Sequence, residues 1–225
     1  MESPSSNQRP IVLCPLRFEM RALQKAGVAK RFDLACCGPG ASGVRDWVAR
    51  TGTQNRPVIL AGLAGALSDR IHLGDAAAIA EVIDADSLET WRSPLVDTLA
   101  PHDSQRWRAT SAKASVIGRS HKDHLHQHTG ADIVDQESVA FAAAAAAAGW
   151  RWGIVRGISD DLESSLPVES DRWIDAAGRT RVRSVLAALG GRPMLLPVLW
   201  RLGRRSNVAM RAVVEVILAG RCLGP

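Results

Sequence analysis

Little in this chain would hold a metal, cross a membrane or read a duplex. Of its 225 residues four are cysteines, Cys14, Cys36, Cys37 and Cys222. None is spaced as a zinc site or a CxxC pair, and the adjacency of Cys36 and Cys37 disfavours a staple between them. Reduced thiols in a cytoplasmic protein are the expectation. No run of about 18 uncharged apolar residues occurs, so no segment reads as a membrane-spanning helix. The opening MESPSSNQRP lacks the basic-then-apolar pattern of a signal peptide, and residues 1–9 read as a disordered leader. There is no internal repeat and no low-complexity linker. The net charge is +5, yet no recognised nucleic-acid motif accompanies it, so nucleic acid is not an expected partner.

What is present is an ordinary globular composition, 46% hydrophobic and 23% charged. Short apolar runs alternate with helical patterns. PIVLCPL (10–16), RFDLAC (31–36), RPVILAGLAGAL (56–67), LGDAAAIAEVI (73–83), KASVIG (113–118), ADIV (131–134) and WGIVRGIS (152–159) read as strands. RFEMRALQKAG, VRDWVAR and the seven-alanine run after Phe141 read as helices. Residues 84–112 suggest loops and a helix, and 165–190 a loop and a helix. This alternation predicts a three-layer α/β/α sandwich around a mixed, mostly parallel sheet. One domain over residues 10–192 carries a helical extension, 193–225, interrupted at Pro197 and Gly203.

The segment VDQESVAFAAAAAAAGWRWGIVRGISDD (134–161) sets an acid at each end of a plain strand–helix–strand unit. A right-handed crossover would make the two strands parallel. Asp135 and Glu137 then sit where the first strand ends, and Asp160 where the second ends. That edge is where open α/β sheets bind ligands. Glu137 falls in the first helical turn, where the helix dipole favours its charge. Each acid could equally be a helix cap. Glu19 follows the first strand closely and belongs near the same edge.

These blocks resemble the nucleoside phosphorylase superfamily, and above all its methylthioadenosine/S-adenosylhomocysteine nucleosidase branch. VDQESVAFAAAA followed by IVRGISDD is similar to that branch's V-E-M-E-[SA] helix and V-V-R-A-I-S-D strand end. CPLRFEMRAL resembles its first strand-to-helix loop, and ILAGLAGALSDRIHLGDAAAIAEVI its T-G-S-A-G-G-L…V-G-D segment. KDHLHQHTGADIVDQES and RPMLLPVLWRLGRRSNVAMRAVV look most like the hopanoid-associated phosphorylases, whose implied substrate is an adenosylated lipid.

The resemblance implies roles by position. Asp160 would protonate or hydrogen-bond purine N7 as the base leaves. Glu137 would grip the ribose hydroxyls, beside Asp135 and Gln136. Ser159 and Arg156 would support the Asp160 loop. Glu19 would orient or deprotonate a water. Gly62, Leu63, Ala64 and Gly65 would form a small-residue loop beneath the ribose. The Gly38–Gly40 turn would lie near the nucleophile, where with Arg17 it could meet phosphate. No organic cofactor or metal is implied, and phosphate is a possible co-substrate. Leu60 and Leu63 stand where phosphorolytic members carry an arginine and a serine, so water and phosphate both stay open as nucleophiles. A homodimer or larger homo-oligomer is implied.

The remaining signals are weaker. GPGASG (38–43) fits GxGxxG, but no acid follows about 20 residues on to hold a dinucleotide ribose. His121, His124, His126 and His128 read as a solvated polar helix, because no carboxylate motif accompanies them. The tail at 193–219 mixes Leu, Val and Trp with arginines. It reads as core or oligomer contact, or as a basic amphipathic surface for a membrane or a lipid substrate. Two further alternatives are a nucleoside-binding protein without catalysis and a membrane-associated scaffold.

Overall fold

Side chains alternate across a strand, so a strand buried on both faces must be apolar at every position. The first strand meets that condition. It sends Ile11 and Leu13 to one face and Val12 and Cys14 to the other. A computed structural model describes residues 9–100, 105–116, 118–163, 175, 177, 178 and 195–220. Its elements are β1 (Ile11–Cys14), α1 (Arg17–Lys25), β2 (Asp33–Cys36), α2 (Gly40–Thr51), β3 (Val58–Ala66), β4 (Ala76–Ile83) and β5 (Thr90–Arg92). There follow α3 (Val96–Leu99), β6 (Arg106–Ser111), α4 (Arg119–Thr129), β7 (Ile133–Asp135), α5 (Ser138–Ala147), β8 (Trp152–Asp160) and α6 (Leu195–Ala219).

Ile11, Leu13, Val58 and Leu60 pack with Val44 and Val48 of α2 and with Phe141, Ala142 and Ala145 of α5. Val12, Cys14, Ile59 and Ala61 pack with Leu23 of α1, Val96 and Leu99 of α3, and Met210, Val213 and Ile217 of α6. The sheet is therefore sandwiched between two helical layers. The alanine helix α5 presents almost no side-chain bulk, and Phe141 fills the gap by meeting Trp152 edge-on, with 6.1 Å between ring centroids.

The sheet runs β2-β1-β3-β7-β6-β4-β5, and β8 joins β3 to β4. Five of its strands thus form a ring, β3-β7-β6-β4-β8, which an open sheet would not. β1 pairs with β2 and β3 in parallel, as do β3 with β8, β4 with β6, and β6 with β7. The antiparallel pairs are β3–β7, β4–β5 and β4–β8.

Four expectations change. The strands flanking α5 are not parallel: β7 pairs with the end of β3 in the opposite sense, Gly65 against Val134. The handedness rule concerns parallel strands of one sheet, and β7 is a three-residue strand closing a ring. KASVIG holds no strand among its described residues; the strand is β6, inside the stretch read as loops and a helix. RWRATS reads poorly as a strand because its arginines point outward, Arg108 to Glu81 and Arg106 to Asp97. Residues 62–65 are not a loop but lie within β3. Finally, α6 is one helix through Pro197 and Gly203. Pro197 sits in the first turn, where an N–H has no intrahelical acceptor to lose. The readings for residues 1–8, for most of 165–190, and for 221–225 fall outside the described residues.

β8 lets α6 come close through glycine. A Cβ on Gly157 would stand 2.6 Å from the Ala209 carbonyl oxygen and 2.7 Å from a Val213 methyl. Gly157→Ala is expected to overpack this contact and lower stability by about 1–3 kcal/mol. Chemical denaturation checks it: an unchanged midpoint would mean that α6 does not pack as described.

Candidate active site

The site is built on the glycines of β3. Gly62 has no side chain, and a Cβ there would lie 2.6 Å from Arg156 Nη1 and 2.8 Å from Glu19 Oε1. The missing methyl is what allows a guanidinium from β8 and a carboxyl from α1 to meet over the strand. Glu19 lies in the first turn of α1. Its Oε2 accepts from the Leu16 N–H at 2.8 Å, and its Oε1 from the Leu63 N–H at 2.9 Å. The first bond closes a capping interaction, and the second ties α1 to the middle of β3.

Arg156 is fully buried. Its Nη2 lies 2.7 Å from Asp135 and 3.3 Å from Glu137. Its Nε and Nη1 hydrogens have no hydrogen-bond acceptor among the described residues. Asp135 does the capping at α5, accepting from the Glu137 and Ser138 N–H groups at 3.1 and 2.9 Å, from the Ser111 hydroxyl at 2.6 Å, and from the Ser138 hydroxyl. Glu137 is the N-cap residue, one step outside the first turn. With its cap role taken by Asp135, its own carboxylate is released for other partners. Its Oε1 accepts from the Gly40 N–H at 2.7 Å, at the start of α2.

One buried cation thus faces three buried carboxyls, which cannot all be ionised cheaply. Burial is the main cause that pushes the Glu19 carboxyl from 4.5 up to about 8. Arg156 opposes the rise and Glu137 adds to it. Burial also raises Glu137, against Arg156 and with Asp135. Arg156 is held in its charged form by Asp135, Glu137 and Glu19 despite its burial.

Asp160 ends β8 above Gly65, where a Cβ would be 3.0 Å from Oδ2. The β3–β8 register shifts between Ala64 and Gly65, leaving Ser159 as the odd residue. Burial raises the Asp160 carboxyl, and Lys122 is the largest opposing influence. Lys122 comes from α4. Its Nζ is 2.5 Å from Asp160 Oδ2 and 2.6 Å from the Asp161 carbonyl oxygen. The polar histidine helix is therefore not wholly solvated, since it delivers a fully buried lysine. No spacing in the sequence marks Lys122, 38 residues from its partner.

Because β7 opposes β8, its end comes back beside Arg156 rather than beside Asp160. Four residues of strand, roughly 13 Å, separate Arg156 from Asp160. Glu19, Glu137, Asp135, Arg156, Gly62, Leu63 and Ala64 gather at the first position, and Ser159 and Asp160 at the second. Gln136 reaches Ser115 at 3.5 Å. Arg17 donates to the Ala177 carbonyl at 3.4 Å. Gly38 and Gly40 flank the N-terminus of α2, and the Gly40 N–H is already given to Glu137.

Among the described residues, two hollows lie along α6. One, of about 370 Å³, is lined by Leu73, Gly74, Trp200, Arg201, Arg204, Arg205 and Val208. It adjoins the Asp160 end, because the Gly74 N–H donates to the Ile158 carbonyl at 2.9 Å and the Arg205 charge acts on Asp160. The other, of about 530 Å³, shares Trp200, Arg204 and Val208. Among the described residues no helix is long and apolar enough to cross a membrane.

A family model of the phosphorylase superfamily matches residues 111–189. The fold is similar to that of solved nucleosidases. The Helicobacter pylori 5′-methylthioadenosine/S-adenosylhomocysteine nucleosidase superposes with a TM-score of 0.67 at 13% identity, over 96% of this chain and 98% of that one. The Neisseria meningitidis enzyme of the same name, in complex with methylthio-immucillin-A, gives 0.65 at 15%, over 94% and 97%. The Helicobacter pylori futalosine hydrolase gives 0.65 at 13%, over 94% and 97%. No curated protein matches the sequence.

The raised Glu19 carboxyl makes stability pH-dependent. A carboxyl that binds its proton more tightly in the fold contributes fully below its unfolded value, and that contribution is lost as pH rises through its folded value. Melting temperature is therefore expected to fall between about pH 4.5 and about pH 8. Glu19→Gln keeps one acceptor and removes the titration, so its melting curve should fall less steeply across that window. Equal slopes in both proteins would place the titration elsewhere.

Proposed function

We propose that this protein is an enzyme that breaks the N-glycosidic bond of a purine nucleoside, with water as the nucleophile. The observation that carries the reading is the meeting of Glu19 and the unpartnered Arg156 Nη1 across Gly62. A substrate water accepting from Nη1 and donating to Glu19 would satisfy both groups. Such bonds break through a sugar with oxocarbenium character, so carboxylates beside the ribose stabilise the charge that develops.

Glu137 holds the ribose hydroxyls, tied in place by Gly40 and Arg156. Glu19 takes a proton from water, and the water oxygen bonds to C1′. The C1′–N9 pair leaves with the base, and Asp160 supplies a proton to N7. A carboxyl that titrates at about 8 gives and takes protons readily near neutral pH, which suits the water-activating role of Glu19. Burial shifts the Asp160 carboxyl upward, toward the protonated form that the leaving base needs.

Water is favoured over phosphate by what surrounds the nucleophile. Leu60 is buried and offers no side-chain donor, the Leu63 N–H is given to Glu19, and the Gly40 N–H is given to Glu137. Arg17 and Gly38 are the phosphate ligands left to test. A substituent on the ribose 5′ carbon, such as the hydrophobic group of an adenosylated lipid, would be received by the hollows along α6. Trp200, 65% exposed and stacked by Arg204, would then meet an anionic membrane surface.

A purine nucleoside panel with and without phosphate tests the reaction, with mass detection of ribose against ribose 1-phosphate. Free ribose is expected, at a rate independent of phosphate. Asp160→Asn should lower kcat by roughly 10²–10⁴-fold, and turnover near the wild-type rate would remove Asp160 from the mechanism. Sedimentation with anionic vesicles tests the membrane contact, which Trp200→Ala should weaken. Equal sedimentation of the two proteins would dismiss it.

A further inference from the structure

Lys122 is a buried cation that the reaction above does not use. It reaches Asp160 from α4, a helix fastened over the ends of β3 and β8. Arg119, one turn before it, pairs with Asp69 at 3.3 Å and with Glu163, the residues that follow those two strands. Lys122 itself bonds both the Asp160 carboxylate and the Asp161 backbone, so the acid and the turn behind it are fixed together. Both side chains of the pair are almost wholly buried, at 1% and 6% exposure. A buried ion pair of this kind is costly to desolvate and contributes little to stability compared with an apolar pair. A role in stability alone therefore explains it poorly.

We propose that Lys122 is a positioning residue for Asp160, holding its carboxyl at the strand end and receiving it as an ion pair once its proton has passed to the leaving base. This rests on the assignment of Asp160 as the acid. In the step, the C1′–N9 bond breaks and its electron pair goes to the purine. The Asp160 O–H bond breaks as the N7–H bond forms. The carboxylate left behind stays beside the Lys122 ammonium, which gives up no proton. Charge separation that would otherwise be left in a dry site is neutralised in place. Among the described residues, the charged and titratable groups that act on Asp160 are Lys122 from α4, Asp161 next in the chain and Arg205 from α6. Lys122 has the largest influence among them.

The test uses the full chain and the nucleoside that the wild type cleaves. Lys122→Met should leave KM within about twofold and lower kcat roughly tenfold or more. The Asp160 titration, followed by carbon-13 NMR of its carboxyl, should move up by about one pH unit or more. The pH profile of kcat should move with it by the same amount, and Lys122→Arg should restore both. A structural role alone would lower the melting temperature and the amount of active protein without moving that profile. If Lys122→Met does not fold, Lys122→Arg decides, because it keeps the pair: a folded Lys122→Arg protein with kcat down a hundredfold overturns the proposal. So does an unmoved pH profile in Lys122→Met. A wild type that cleaves no nucleoside refutes the reaction itself, an outcome separate from an active wild type indifferent to Lys122.

Discussion

A guanidinium buried away from bulk solvent is the constraint around which this molecule is arranged. Arg156 is drawn from the middle of β8 into the dry interior of a sandwich, and its charge must be answered there. Asp135 and Glu137 answer it from the end of β7, and Glu19 from the first turn of α1. Each of those carboxyls has a second partner in the backbone: the cap of α5, the start of α2, and the edge-to-centre contact between α1 and β3. The charge cluster therefore joins β8 and the β7–α5 junction to α1, α2 and β3. Burial is the main reason for the high proton affinity of Glu19, and the neighbouring Glu137 charge adds to it.

Small residues make this possible. β3 reads VILAGLAGA, and its glycines stand where side chains of other strands must cross. Gly62 yields to Arg156 and Glu19, and Gly65 yields to Asp160. In β8, Gly153 and Gly157 yield on the other face to Leu99 of α3 and to Ala209 and Val213 of α6. The same absence of a Cβ thus admits polar groups on one side and close helix packing on the other. The alanines of α5 serve a related end, since a helix without bulk can lie close to the sheet and bring Glu137 in with it.

The two halves of the site differ in character. At the Arg156 end the acids outnumber the cation, and protons are held. At the Asp160 end acid and cation are matched one to one, and α4 closes over them. That contrast suits a reaction in which one end takes a proton from a nucleophile while the other gives one to a leaving group. The hollow lined by Gly74 and Arg205 adjoins the second end, where a bulky or charged part of a substrate would project.

Much of this was legible in the residues, for local reasons. The apolar runs of β1, β3 and β8 and the helices between them follow from periodicity, which is a property of neighbours in the chain. The acids Glu19, Glu137 and Asp160 stood out because each borders such a run. The strand β6 did not, because its arginines break the apolar signal and find acids only in the fold. Lys122 was hidden in a helix that reads as solvent-facing, since burial of a charge depends on a partner 38 residues away. The direction of β7 is not legible in its residues, because a three-residue strand takes its sense from the strands that accept it. Sequence thus determined which segments are strands and helices and which acids lie at their ends, because those are set by contacts between near neighbours. The closed ring, the glycine crossings and the pairing of each acid with its cation were decided only by tertiary structure, because they depend on which distant segments share the same dry volume.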